Sequence, residues 1–225
     1  MKLDELSAKL GVDIDRDLLK LALTHRSYSY EHGNTPNNER LEFLGDSVLG
    51  FVVTAHIHDL LVELPEGELT KVKNAVVSAR ALAGVASELG LGEFLRLGKG
   101  EDQTGGRTKL NLLADTFEAI LGAVYVSKGL DEARGIVERF VFPLLQDTDA
   151  LRENSDPKTT LQERVQEQGK SAPIYETTFE GPDHDRDFHA KVLADGVVIG
   201  EGNGKSRKGA ETEAAIDALA KMHGK

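Results

Sequence analysis

The sequence predicts an all-α N-terminal domain over residues 1–146, then a small α+β domain of order α-β-β-β-α over residues 158–225, with a linker at 147–157. Three observations predict this. Apolar residues recur at helical spacing through about the first 145 residues, with no convincing β-alternation. A polar stretch, Gln146–Lys158 (QDTDALRENSDPK), then breaks the pattern and ends in Asp156-Pro157. Beyond it the period shortens to that of strands, and Asp195-Gly196 is a two-residue hairpin signal.

Each element follows from its own pattern. Amphipathic runs at Arg16–Leu23, Asn38–Leu61, Leu69–Leu89, Leu110–Ser127 and Leu130–Leu145 read as helices. Between them lie turns such as Leu64-Pro65-Glu66-Gly67 and Gly90-Leu91-Gly92. His25 falls in a turn and reads as a structural hydrogen-bonding group. Gly98–Lys109 (GKGEDQTGGRTK) is polar and glycine-rich, and reads as a loop able to approach a ligand. After the linker, Pro157–Gly169 reads as a helix. Ile174–Glu180, Phe188–Ala194 and Val197–Glu201 read as short strands, and the Ala-rich Ser206–His223 as a closing helix. Both helices are expected on one face of the sheet.

The chain has 225 residues, 40% hydrophobic and 29% charged, which suits a globular protein with a substantial core. It has no cysteine, so disulfides, thiolate zinc sites, iron–sulfur clusters and a cysteine nucleophile are excluded. No apolar run approaches the roughly 18 residues of a membrane span. The opening MKLDEL carries acids where a leader peptide carries bases. The expectation is a cytoplasmic protein without a membrane partner. Net charge is −11. Residues 1–150 hold 16 bases and 24 acids, and the rest 11 and 14, so neither part is basic. A polyanionic partner must therefore be met by local clusters. Excess carboxylate otherwise serves solubility or holds hard cations through oxygen.

The acids are patterned. At roughly 100° per residue around Asn38–Ala55 (NERLEFLGDSVLGFVVTA), Leu41, Leu44, Val48, Phe51, Val52 and Ala55 fall on one side, and Glu39, Glu42 and Asp46 on the other. Like charges three and four apart repel, and no lysine follows to relieve them. In Asn111–Val126, Leu113, Phe117, Ile120 and Val124 form the buried stripe, while Asp115 and Glu118 share the other face. Ala119, Gly122 and Ala123 beside them would admit a second helix closely. A solvated acidic face is the ordinary reading of one such helix. Two such helices can instead converge in one oxygen-rich site. Carboxylates without His or Cys select Mg²⁺ or Mn²⁺ over zinc, and such sites serve phosphate chemistry. Phe43 lies on the carboxylate side, away from the apolar stripe, where a large apolar residue marks a contact surface, with a two-fold dimer favoured.

These residues carry a resemblance. Asn38–Gly50 (NERLEFLGDSVLG) resembles the signature of bacterial ribonuclease III, and Ala114–Ala123 (ADTFEAILGA) its second carboxylate motif. Leu23–Tyr28 (LTHRSY) and Pro65–Thr70 (PEGELT) also match, and the C-terminal unit resembles the family's double-stranded-RNA-binding domain. The resemblance implies a homodimeric endonuclease that cuts both strands of duplex RNA, leaving 5′-phosphate and 3′-hydroxyl ends. It implies Mg²⁺ (or Mn²⁺) held by Glu42, Asp46, Asp115 and Glu118, with no small-molecule cofactor. The implied catalytic set is Asp46, Glu118, Glu39 and Glu66. Glu39 supports the site through substrate or bound water, Glu66 lines the RNA-facing cleft, and Glu101 borders it. Phe43 enters a socket of the partner subunit. Processing of ribosomal and other structured precursor RNAs is the implied role.

In the second domain, Lys205, Arg207 and Lys208 gather at the start of the last helix, where free backbone N–H groups add an anion site. Their spacing suits phosphates across the narrow groove of A-form RNA. A solvated basic turn is the bland alternative. Thr159, Gln162, Glu163 and Gln166 share one face of the first helix, opposite Leu161 and Val165, and suit 2′-hydroxyls in the wide minor groove. His184 sits at the tip of Gly181–Asp187, within reach of a second minor groove. Asp183, Asp185 and Asp187 weaken the potential there. Two other readings compete with the nuclease: a non-catalytic duplex-RNA scaffold, and a helical protein-interaction module.

Overall fold

The computed structural model describes residues 2–146, 156–182 and 186–223. It divides into two compact units, Met1–Leu151 and Arg152–Lys225. Most of the expected linker (147–155) and His184 lie outside the described residues.

The first unit is helical: α1 (Lys2–Leu10), α2 (Arg16–Ala22), α3 (Arg26–Glu31), α4 (Glu39–Leu60), α5 (Glu66–Val76), α6 (Ala79–Glu88), α7 (Lys99–Gln103), α8 (Leu110–Lys128) and α9 (Leu130–Phe140). Caps set several starts. Asp15 accepts from the amides of Asp17 and Leu18 to begin α2, and His25 accepts from that of Ser27 to begin α3. The expected single helix over Leu69–Leu89 is two helices. Ser78 ends one by donating to the Ala75 carbonyl and caps the next by accepting from the Ala81 amide. A hydroxyl that competes with the helical ladder makes this break. The expected loop Gly98–Lys109 holds the short α7 and a 3₁₀ turn at Gly106–Thr108.

Helix α8 is the axis of the unit, packed against α2, α4, α6 and α9. Its stripe is buried as expected, and so are Ala114, Thr116, Ala119, Leu121, Gly122 and Ala123, because neighbours cover it from several directions. Its length and apolarity alone would suit a membrane span, but it is the core helix of this unit. The stripe expected on α4 is partly wrong. Phe51 is 57% exposed and Ala55 is exposed, whereas Gly45, Leu49, Val53 and Ile57 join Leu41, Val48 and Val52 inside. The buried face thus turns toward the side bearing Glu42, because that side meets α8.

The second unit has α10 (Pro157–Glu167), strands β1 (Ile174–Glu180), β2 (Asp187–Ala194) and β3 (Val197–Gly204), and α11 (Arg207–His223). The sheet is antiparallel in the order β1-β2-β3, with Ile174 opposite Leu193 and Ala194 opposite Val197. Asp195 and Gly196 both have positive φ (51° and 77°), as a tight hairpin of this hand requires. Leu161 and Val165 of α10 and the alanines of α11 share one core with Ala190, Val192 and Ala194, so both helices lie on one face. Strand β3 runs three residues past its expected end. Gly200 and Gly202 lie directly under α11, where a Cβ would strike the backbone of Ala214. Glycine there hides the alternation that marks a strand.

Candidate metal centre and nucleic-acid interface

The acidic site is made by the closeness of α4 and α8. A Cβ on Gly45 would collide with the Glu118 carbonyl, and one on Gly122 with the Leu41 carbonyl. These two glycines let the backbones touch, as the small residues of α8 led one to expect. Glu42, one turn before Gly45, is thereby carried against Asp115 and Glu118. Glu42, Asp115 and Glu118 each offer an oxygen, and these oxygens lie within 4.8 Å of one another. All three side chains are half-buried.

Burial and mutual repulsion show in their acidities. Glu118 is pushed up to about 8, first by burial and then by the charges of Asp46, Asp115 and Glu42. Glu42 is raised by burial, then by Asp115, Glu39 and Asp46, against the pull of Arg26. Asp115 is raised by burial, against His25 and Arg26. Among the described residues no Lys or Arg forms a salt bridge to any of the three. Three half-buried carboxylates without a counter-ion form a site that a hard cation fits, since every donor is oxygen.

The other expected site residues stand around this group. Asp46 is exposed, one turn beyond Glu42, and outside the set within 4.8 Å, although its charge reaches Glu118 and Glu42. Glu39 is exposed, accepts from Asn37 Nδ2 at 3.1 Å, and lies 3.6 Å from Arg26 Nη1. Glu66 is exposed at the start of α5, where it accepts from Thr70 Oγ1 at 3.0 Å, and is also outside that set. Glu101 on α7 pairs with Lys109 Nζ at 2.6 Å, which holds it below its ordinary value. His25 caps α3 and lies 2.8 Å from Ser27 Oγ through Nδ1, as its structural reading requires. Burial lowers its pKa, and the charges of Glu101 and Asp115 oppose that.

Arg26 was not singled out from the sequence. It is the cation whose field reaches Glu42, Asp115 and Glu101 together. Its place beside His25 in the LTHRSY segment is the signal that could have marked it. Phe43 is 78% exposed on the same helix as the acids.

In the second unit, Thr159, Gln162 and Gln166 are exposed on α10, and Glu163 is half-exposed. Asp156 caps the helix by accepting from the Thr159 amide at 3.2 Å. Lys205, Arg207 and Lys208 are exposed at the start of α11. Two of them are paired: Lys205 with Asp187 at 2.9 Å, and Arg207 with Glu211 at 2.9 Å.

Comparison with known proteins agrees with both units. The profile of the Ribonuclease-III-like family matches residues 15–145, and that of the double-stranded RNA binding motif matches residues 157–222. The chain is 54% identical over 213 residues to Ribonuclease 3 of Leifsonia xyli, covering 95% of this chain and 90% of the relative. It is 50% identical over 214 residues to Ribonuclease 3 of Thermobifida fusca, covering 95% and 89%. Among solved structures, the nuclease domain of ribonuclease III from Campylobacter jejuni superposes with a TM-score of 0.60 at 36% identity, covering 63% of this chain and 96% of that one. That domain is described for flexibility in a region involved in its dimer formation. An acidic helical unit followed by a duplex-RNA-binding unit, matched in this order along nearly the whole chain, places the protein in the ribonuclease III family of endoribonucleases.

Proposed function

We propose that this chain is a Mg²⁺-dependent endoribonuclease that hydrolyses both strands of double-stranded RNA as a homodimer, leaving 5′-phosphate and 3′-hydroxyl ends. One observation carries the reading: three half-buried carboxylates within 4.8 Å, with no Lys or Arg among the described residues in a salt bridge to them. Glu42, Asp115 and Glu118, with Asp46 beside them, would hold the metal, and Mn²⁺ can stand in for Mg²⁺ by the same oxygen chemistry. Bound there, a divalent ion supplies charge neutralisation at the phosphate and activation of the attacking water.

The chain's own residues do the rest. Glu39 orients substrate or water at the rim, tethered by Asn37 and faced by Arg26. Glu66 lines the cleft along which the duplex runs. Thr159, Gln162, Glu163 and Gln166 read the minor groove, His184 reaches a second one, and Lys205, Arg207 and Lys208 take phosphates. Phe43 docks into a second copy of the chain, a use supported by its 78% exposure. The implied work is the processing of ribosomal and other structured precursor RNAs in the cytoplasm.

The decisive experiment incubates duplex RNA with wild type and Glu118→Ala, in Mg²⁺, in Mn²⁺ and in EDTA. Cleavage should need the metal and vanish in Glu118→Ala, while duplex binding persists. Wild-type cleavage by that variant would overturn the proposal.

A further inference from the structure

The start of α11 carries the three cations assigned above to RNA phosphates, yet two of them, Lys205 and Arg207, already hold carboxylates in the free chain. Glu211 is central to this. Its side chain is only 12% exposed, and both oxygens are in use. Oε1 accepts from Arg207 Nε at 2.9 Å and from Thr177 Oγ1 at 3.3 Å, and Oε2 pairs with Lys158 Nζ at 2.6 Å. A guanidinium, an ammonium and a hydroxyl around one anionic group are the donors a phosphate would take. These donors come from α11, β1 and α10, so one carboxylate joins three elements at the edge of the assigned RNA face. Lys158 precedes Thr159 on α10, and Arg207 remains 70% exposed. The Lys158 ammonium also sits 4.3 Å from the Tyr175 ring, further fixing it. A second pair, Lys205 with Asp187, repeats the pattern at an open position, with side chains 68% and 58% exposed.

We propose that Glu211, seconded by Asp187, is a built-in competitor of nucleic-acid phosphates that lowers the affinity of this domain for every polyanion, so that charge alone does not hold a ligand. The proposal rests on the assignment of Lys205 and Arg207 to phosphate contacts. A tethered carboxylate is present at these cations at all times. A polyanion that offers charge alone must displace it or share its cation, and gains little counterion release from a cation already neutralised. Duplex RNA also offers 2′-hydroxyls to Thr159, Gln162 and Gln166, contacts that duplex DNA lacks and the carboxylates leave untouched. Competition therefore weakens both ligands by the same factor, and duplex RNA, with those further contacts, is the one that stays bound. The same arrangement explains how a unit with more acids than bases can bind RNA without holding every polyanion.

The test measures equilibrium binding of the full chain to equal lengths of duplex RNA and duplex DNA, in EDTA to prevent cleavage, across a salt series. Glu211→Gln should tighten the binding of duplex DNA and duplex RNA alike, each about tenfold, and steepen both slopes of log affinity against log salt by about one. Asp187→Asn should do the same at about threefold. In Glu211→Gln combined with Arg207→Gln the gain should disappear. Unchanged or weaker DNA binding by Glu211→Gln, with its melting temperature retained, overturns the proposal. Should Glu211→Gln fail to fold, Asp187→Asn decides, since that pair is exposed, and the absence of a gain there also overturns it. The parent assignment fails separately: Lys205→Gln and Arg207→Gln would then leave RNA affinity at the wild-type level. If those variants lose affinity while Glu211→Gln and Asp187→Asn gain none, only the competitor reading falls.

Discussion

Glu118 makes a prediction that needs no substrate. Its carboxyl moves from 4.5 to about 8 on folding, burial first and neighbouring acids second. An acid with a raised pKa binds more protons folded than unfolded. Metal-free stability should therefore be undiminished below about pH 4.5, fall as pH rises, and level off above about 8. Unscreened, that displacement corresponds to about 5 kcal/mol at about 1.4 kcal/mol per tenfold. The carboxyl is only half-buried and titrates with its neighbours, so solvent screening reduces this to roughly 2 kcal/mol. At about 2–4 °C per kcal/mol for a chain of this size, the wild type should lose about 4–8 °C relative to Glu118→Gln between pH 5 and pH 8.5. The assay is calorimetry in EDTA on both proteins across that range. The Gln variant removes the titrating group and should show a flatter profile. Saturating Mg²⁺ should lift the wild type at alkaline pH and the variant much less. Parallel melting profiles of the two proteins from pH 5 to 9 would refute the claim that Glu118 is an uncompensated, desolvated acid.

Other predictions follow from the same geometry. Gly45→Ala places a methyl group on the Glu118 carbonyl, so it should cost about 1–3 kcal/mol and raise the Mg²⁺ concentration needed for half-maximal cleavage; thermal melts and a metal titration check both. Phe43→Ala should leave the far-ultraviolet circular dichroism unchanged and shift sedimentation from dimer toward monomer, because it removes an exposed apolar anchor. Binding of duplex RNA in EDTA should weaken by about fortyfold for a fourfold rise in salt once Glu211→Gln and Asp187→Asn free all three cations for phosphate, and by less in the wild type, where two are already neutralised. It should change little with sequence, which anisotropy on scrambled duplexes measures. Ser78→Ala should destabilise the first unit by about 1 kcal/mol, since the hydroxyl caps α6.

Much of this is legible in the sequence alone. The spacing of Glu39, Glu42 and Asp46, and of Asp115 and Glu118, already put acids on helix faces that held no lysine. Helical period and acid period are both local properties, and a single chain displays them directly. The hairpin at Asp195-Gly196 was equally local, since two consecutive positive φ angles demand those residue types. What failed was information held by neighbours. The stripe on α4 was rotated from its true position because α8, not water, meets the side that carries Glu42. The break at Ser78 was hidden because apolar periodicity runs on through it. Strand β3 was cut short because glycines packed under a helix carry no side chain to alternate. The clamp on Lys158 joins positions 53 residues apart and leaves no mark in local composition.

These failures and the site have one cause. A helix surface rich in acids is ordinarily solvated, and nothing in α4 or α8 alone prevents that. Gly45 and Gly122 bring the two backbones into contact, so that acids which repel on each helix must also share a half-buried space. The repulsion then becomes affinity for whatever cation enters. The second unit works in the opposite sense, with Glu211 and Asp187 restraining cations that would otherwise hold any polyanion. Net charge is therefore a poor guide to what this protein binds. At one site negative charge is concentrated until a cation is required, and at the other positive charge is reduced until shape must contribute to recognition.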